Sequence, residues 1–557
     1  MSDLEQFRVL GLTEGTLKAL RRKGFETPSP IQEQVIPLLM SGDPGLLATE
    51  QGRRWYDQIK GGQGATAALD IIVSFGQGNL PEGFPLPGTV AYRSAWEKVI
   101  EAAETHNDPG RFTAFIGFEW TSNTGGNNLH RNVIFRGNGD MARRVEPFTT
   151  QKPLGSDNPA DLWKWMAMAQ EKTGSDVLAI AHNGNLSNGL MFPTVEAFGR
   201  KLDAGYAATR AKWEPLYEVT QTKGTGEAHP FLSPNDEFAD FELWDKGNLD
   251  GTVPKRQDML EREYARAAYK TGLMLEGKLD TNPYKFGLIG SSDAHNGLAA
   301  LAEDNFFGKT VPQEPSPERM TETFIANMKT GVTVMDWEVS ASGYAAVWAT
   351  ENTREAIFDA MQRRETYATT GSRMIVRFYG GWDFKPDDAA HRLPAAVGYA
   401  KGVPMGGDLS SAPQGKSPTF LVAALKDPIG ANLDRIQIVK GWMDARGKLH
   451  EAVYDVTWGD KDTRTPGTDG KLPPVGTTVD IANANWTNTI GDPELITVWK
   501  DPDFDAKQSA FYYARVIEIP TPRWTAYDGK YFGTTPLPGT TMTLQERAYT
   551  SPIWYTP

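Results

Sequence analysis

The stretch "LIGSSDAHNG", residues 288–297, decides the reading of the fold. A short apolar run stops at Gly290, two serines follow, and an acid and an imidazole come next, two positions apart. In an extended segment alternate side chains leave the same face, so Asp293 and His295 are expected to point the same way at the end of a strand. Working outward, "FTAFIGFEW" (112–120), "HRNVIF" (130–135), "DVLAIAHNG" (176–184) and "LYEVTQT" (216–222) are apolar runs of the same kind. Between several of them lie amphipathic stretches such as "RSAWEKVIEAAETH" (93–106) and "PADLWKWMAMAQEKTG" (159–174). Strands alternating with helices argue for an α/β barrel or sheet.

Beyond about residue 395 the helical pattern fades. "PTFLVAALKD", "LDRIQIVKGWMD", "HEAVYDVTW" and "SAFYYARVIEIP" instead read as antiparallel strands separated by Gly, Pro and Asp turns. At 557 residues the chain exceeds the size at which one hydrophobic core stops growing, so more than one packed unit is expected. The formal charge of −13, with no concentrated Lys/Arg stripe, argues against a nucleic acid partner. With 0 Cys, disulfides, thiolate metal sites and cysteine nucleophiles are excluded, and a metal would have to sit on His, Asp and Glu. No 18-residue apolar span occurs and the N-terminus lacks a basic, apolar leader, so the expected setting is the cytoplasm, with no membrane partner.

The strand ends carry the chemistry. Glu119 ends "FIGFEW", His182 ends "AIAH", His130 opens "HRNVIF", and Asp293 and His295 follow the run that ends at Gly290. Active sites of α/β proteins gather at the carboxyl ends of strands, so residues far apart in sequence converge there. Nitrogen and carboxylate donors suit Zn or Mn. Singly, a strand-end His or Glu is more often structural. Jointly, Glu119, His130, His182, Asp293 and His295 point to a divalent metal. Lys223 and His229, in "VTQTKGTGEAHPF", follow a strand on the same rim and could steady an anion or bind metal; the bland reading is a solvated loop. Arg373, in "YATTGSR", has the fork that pairs with a phosphoryl or sulfuryl oxygen, or with an ordinary carboxylate. Asn183 and Asn185 flank the His182 turn and are expected only to shape it.

Two resemblances add to this. Residues 7–43, "FRVLGLTEGTLKALRRKGFETPSPIQEQVIPLLMSGD", resemble the Q motif that opens a DEAD-box RNA helicase. No phosphate-binding G-x-x-x-x-G-K-[ST] loop follows, so these residues are expected to be a helical segment, 1–43, without ATP binding. The second covers roughly residues 44–557. "RFTAFIGFEWTS", "NNLHRNVIFRG", "VLAIAHNGNLSNGLMF", "SPNDEFADFELWD", "GSSDAHNGLA", "TYATTGSRMIVRFYGGWDF" and "SPIWYTP" resemble a bacterial branch of the polymerase and histidinol phosphatase (PHP) metallohydrolases. That resemblance implies a distorted (β/α)₇ barrel over 44–394 and a β-rich region over 395–557. Glu119 would be a bridging carboxylate, His130 and His182 would complete one metal shell, and Asp293 and His295 would serve other metals. The His-x-His of that superfamily is missing, which implies one ion well held by Glu119, His130 and His182 with a second held more weakly, an incomplete barrel, its first strands replaced by the helical segment, and exposed edges that a second copy of the chain could cover.

The resulting expectation is a metal-dependent hydrolase of small phosphate esters (phosphotriesters, phosphodiesters) and sulfate esters, broad in substrate. Glu119, His295, Lys223, His229 and Arg373 are its catalytic candidates. The alternatives are carboxylic ester or carbamate cleavage, and a binding remnant without activity.

Overall fold

The computed structural model describes residue 47 and, from 49 onward, all but 62, 64–66, 68, 69, 72, 73, 75–77, 82, 83, 300, 311, 312, 342 and 469. The helicase-like segment 1–43 lies outside the described residues. The first helix, α1 (Glu50–Lys60), is capped by the Thr49 side chain on Gly52 N. Then come α2 (Val90–His106), β1 (Ile116–Trp120), the short pair β2 (Asn123–Thr124) and β3 (Asn127–Asn128), and β4 (Arg131–Phe135). Next are α3 (Pro159–Thr173), β5 (Val177–His182), α4 (Ala204–Trp213), β6 (Leu216–Gln221), β7 (Gly224–Thr225), α5 (Ala265–Leu279) and β8 (Gly287–Gly290).

α3 shows why these segments fold as they do. Asn158 accepts from Ala160 N at 3.0 Å, Pro159 occupies the first turn, and Gly174 leaves the helix at φ 71. Leu162, Met166, Ala169 and Thr173 recur at helical spacing and are buried. β5 and β6 are buried at every position, as central strands covered on both faces must be.

The strands form an open sheet in the order β1-β4-β5-β6-β8, with β7 folded back on β6. β4 runs antiparallel to β1 and β5, whereas β5, β6 and β8 are mutually parallel through the α4 and α5 crossovers. No closed barrel is present among the described residues; β1 is an edge strand. One face of the β1, β4, β5 half carries Ile116, Val133, Phe135, Val177 and Ala179 against Trp96 of α2 and Leu162, Trp163 and Met166 of α3. The other face carries Leu178, Ile180, Leu216 and Ile289 against Phe358 and Met361 of α6 (Arg354–Gln362).

The β-rich part begins at Tyr344, about fifty residues before the expected boundary at 395. β9 (Tyr344–Val347) pairs with β10 (Thr366–Thr369), which pairs with a strand from the C-terminal end, so both join its eight-stranded sheet. β11 (Ile375–Gly381) joins a four-stranded antiparallel sheet with partners over residues 402–404, 419–425 and 494–500. Long strands over Leu433–Met443, Leu449–Trp458 and Ala510–Glu518, with short ones over Asp408–Ser410, Arg547–Thr550 and Ile553–Thr556, make up the rest of the large sheet. The helical period of 354–362 obscures this boundary in sequence, because α6 interrupts the strands while packing against the first sheet.

The two parts share one core. Ala181, Tyr217, Val219 and Leu288 of the first sheet and Tyr269 of α5 cluster with Val439, Phe511, Tyr513, Tyr549 and Trp554. The free side of β8 is pinned by Ser551 Oγ, 3.0 Å from Leu288 N, and by Thr366 Oγ1, 3.0 Å from Leu288 O. No described helix is long and apolar enough to cross a membrane.

Candidate metal centre

Because β4 runs opposite to β1 and β5, its beginning lies at the sheet end where those two strands finish. His130, one residue before β4, thereby meets Glu119 near the end of β1 and His182 at the end of β5. His130 Nδ1 is 2.6 Å from Glu119 Oε1 and His182 Nε2 is 3.2 Å from the same oxygen. The two rings are almost perpendicular, 5.4 Å apart. One ligand atom from each residue falls within 4.8 Å of the other two, and this is the only such group of three among the described residues. Strand alternation puts Glu119 and His182 on the α6-facing side, above Leu178 and Ile180.

Burial disfavours charge on all three groups, and their mutual fields decide the outcome. For Glu119, burial opposes ionisation, but the imidazoles of His130 and His182 prevail and hold its carboxyl well below the usual range. Burial wins at His130, whose pKa is lowered despite Glu119. At His182 burial is outweighed by the Glu119 hydrogen bond and by the fields of Glu218 and Asp293, so its pKa is raised. The outer nitrogens, Nε2 of His130 and Nδ1 of His182, are buried without a hydrogen-bond partner. Neither ring is committed to another protein group, and two nitrogens with one carboxylate oxygen form a donor set that suits Zn or Mn.

Asp293 and His295 are not on an extended run. β8 stops at Gly290, and Asp293 takes the left-handed φ of 49. The pair still meets, His295 Nε2 lying 3.1 Å from Asp293 Oδ1, but through a turn and not through strand alternation. Asp293 is also held by Lys223, by Lys309 Nζ at 2.6 Å and by Gln221 Nε2 at 2.8 Å. Burial would raise its carboxyl, yet the two ammonium groups hold it well below the usual range. Its oxygens, expected to ligate metal, here face the two lysines and His295. Lys309 also reaches His295 Nε2 at 2.9 Å, and burial together with Lys223 pushes its ammonium down to about 7. This cluster adjoins the trio: Lys309 feels the charge of Glu119, and His130 that of Lys223.

Of the remaining candidates, Lys223 is brought to the site, whereas His229 is engaged by other groups. His229 Nε2 pairs with Asp245 Oδ2 at 3.1 Å and its Nδ1 accepts from Phe231 N at 3.1 Å, so both nitrogens are used. Arg373 is exposed, with its guanidinium 5.6 Å from the Tyr344 ring, in the turn between β10 and β11. Asn183, at φ 51, accepts from Gln221 Nε2 at 2.8 Å, and Asn185 Nδ2 donates to Lys223 O at 3.0 Å. Both shape the turn that carries the site.

Three residues escaped the sequence reading. Glu218 lies opposite His182 in the neighbouring parallel strand, accepts from Ser291 Oγ at 2.5 Å and leaves its buried Oε1 unpartnered. Burial raises its pKa. The signal was a lone acid inside "LYEVTQT". Gln221 and Lys309 gave none, because Lys309 reaches the site from a loop without periodicity.

A family model described as "Protein of unknown function (DUF3604)" matches residues 35–557. The chain belongs to that family. This overturns the PHP resemblance: no PHP family model matches, and the DUF3604 match already includes residues 35–43 of the helicase-like segment. Among curated proteins, ATP-dependent RNA helicase CshA of Limosilactobacillus reuteri is 35% identical over 68 residues, 12% of this chain and 12% of the helicase. ATP-dependent RNA helicase DeaD of Haemophilus influenzae is 47% identical over 55 residues, 10% of this chain and 9% of its own length. ATP-dependent RNA helicase DBP10 of Phaeosphaeria nodorum is 41% identical over 49 residues, 8% and 6% respectively. The chain thus spans about a tenth of the length of these relatives. No solved structure matches.

Proposed function

We propose that this DUF3604 protein is a metal-dependent hydrolase of phosphate esters, phosphotriesters and phosphodiesters first, with sulfate esters open to the same chemistry. The observation that carries the reading is the convergence of Glu119, His130 and His182 on one point at a strand end, beside two buried lysines. Glu119 Oε1, His130 Nδ1 and His182 Nε2 would hold the ion. Three protein ligands leave room for water and substrate, as catalytic centres do. A divalent ion supplies Lewis acidity and lowers the pKa of water toward neutrality.

The protein's own groups account for the rest. In hydrolysis the water oxygen bonds to phosphorus, the bond from phosphorus to the leaving oxygen breaks, and the water's proton passes to solvent while negative charge grows on the phosphoryl oxygens. Lys223 and Lys309 share a single carboxylate, Asp293, so the cluster carries a cationic charge beyond that carboxylate whenever Lys309, at about 7, holds its proton. That surplus favours an anionic oxygen over a neutral one. Asp293 acts as a positioning residue, fixing both lysines, while Gln221 fixes Asp293. Glu218 faces the same space and is kept protonated more readily than an ordinary acid, so it can donate a proton.

The test is turnover of a nitrophenyl phosphodiester and phosphotriester by the purified chain, before and after chelation and with Zn or Mn restored. Activity lost on chelation and regained on addition supports the reading. Faster turnover of nitrophenyl acetate than of every phosphate ester, or activity indifferent to chelator, rejects it.

A further inference from the structure

We infer that the cleft alongside Glu119 receives an aromatic group, the aryl leaving group of the ester. This rests on the hydrolase reading and adds the substrate class. The cleft has a volume of about 270 Å³ and runs between α2, the edge strand β1 and residues 147–150, with Glu119 in its wall. Its other walls include Tyr92, Trp96, Val99, Phe118, Pro147 and Phe148.

The aromatic walls are set in fixed mutual orientations. Phe118 meets Trp96 edge-on, with centroids 6.1 Å apart, and meets Trp165 edge-on at 5.3 Å, while Phe148 stacks on Trp165 at 6.2 Å. Trp96 is itself seated on Phe135, 6.0 Å away, and 5% exposed. Rigid rings in edge-to-face and stacked arrangements complement another flat ring better than a flexible alkyl chain. An apolar cavity of about 150 Å³ accepts benzene, so this cleft has room for one or two fused rings. It is too small for a folded partner.

Glu119 joins the cleft to the reaction centre. A third of its side chain is exposed, 34%, although its Oε1 is engaged by both imidazoles. A ring lying against Phe118 and Phe148 therefore sits one residue along β1 from the side chain that would hold the ion, at the open edge of the sheet. Thr121, Thr149 and Thr150 line the cleft too and give it a polar margin. Aryl oxides leave more readily than alkoxides, so binding and reactivity select the same esters.

The experiment measures binding of 1-naphthol to the full-length, metal-free chain through tryptophan fluorescence, together with kcat/KM for 1-naphthyl and ethyl esters of the same phosphodiester. Val99, at the rim and 44% exposed, is the position to change, because Val99→Glu places a charge in the cleft without disturbing the core. Saturable naphthol binding that Val99→Glu weakens about tenfold, with a matching fall in the naphthyl-to-ethyl ratio, supports the inference. Metal-dependent ester turnover without naphthol binding, or binding unmoved by Val99→Glu, overturns it and leaves the hydrolase reading standing. Naphthol binding that Val99→Glu weakens, with no ester turned over, leaves the aromatic cleft standing and overturns the hydrolase reading alone.

Discussion

At the scale of the residue, Asp293 sets the electrostatics. One carboxylate facing two buried lysines leaves positive charge in a place with little water to screen it while Lys309, at about 7, keeps its proton. Lys309→Met removes one of the two charges while nearly keeping the side chain's length. The expected result is a fall in kcat of about 10²-fold, the usual loss for one donor to a developing oxyanion, with KM changed far less. Steady-state kinetics on a nitrophenyl phosphodiester check it. His182 gives a pH dependence. Its raised pKa keeps a proton on the ring to higher pH than an ordinary histidine, and an ion needs the bare nitrogen. Zn or Mn affinity should therefore fall by about tenfold per pH unit below that raised value, with proton release on binding. Calorimetry in buffers of different ionisation enthalpy counts the protons. In the ion-free protein the sign reverses: the raised pKa contributes stability fully present below the ordinary imidazole value, lost as pH climbs through the raised one.

At the scale of the element, β8 is short because Gly290 has no room for a side chain. A Cβ there would lie 2.9 Å from both Thr369 O and Tyr344 O, where the strand passes against β9 and β10. Both are backbone atoms of a paired ladder and cannot step aside. Gly290→Ala should cost about 1–3 kcal/mol, seen as a lower denaturant midpoint at an unchanged slope. The elements themselves were largely readable. Alternating apolar runs located β1, β4, β5, β6 and β8, and the amphipathic stretch 159–174 located α3. Glu119, His130 and His182 were legible because each closes or opens such a run. Lys309 was not, because a residue in an irregular loop reaches its site through tertiary packing alone. His229 was legible as a rim residue after a strand, but its partner Asp245 was not, because the two meet only through tertiary packing.

At the scale of the whole molecule, the first sheet and the β-rich part are joined by a buried ionic knot. Arg515 pairs with Asp236 at 2.6 Å and Glu227 at 3.2 Å, while Arg266 pairs with both acids and with Glu451. Burial alone would raise Asp236, but the two guanidinium groups prevail and its carboxyl is strongly depressed. Removing one partner leaves a buried charge uncompensated, so Arg515→Ala should cost about 3–5 kcal/mol. Because Asp236 is depressed, its contribution is present above the ordinary aspartate value and drains away as pH falls through the folded-state one. Wild-type thermal stability should drop on acidification below about pH 4, and scanning calorimetry of the variant should show a shallower drop. The boundary between the two parts was not legible, because α6 interrupts the β-rich strands with a helix that serves the other sheet.

The most direct test of the central claim is elemental analysis of the purified, dialysed chain beside its His182→Ala variant. The account predicts one Zn or Mn ion per chain in the wild type and little in the variant, with the loss of metal matched by loss of phosphate ester turnover. A wild-type chain that turns over ester without any bound divalent ion, or a variant that keeps both ion and turnover, would contradict it.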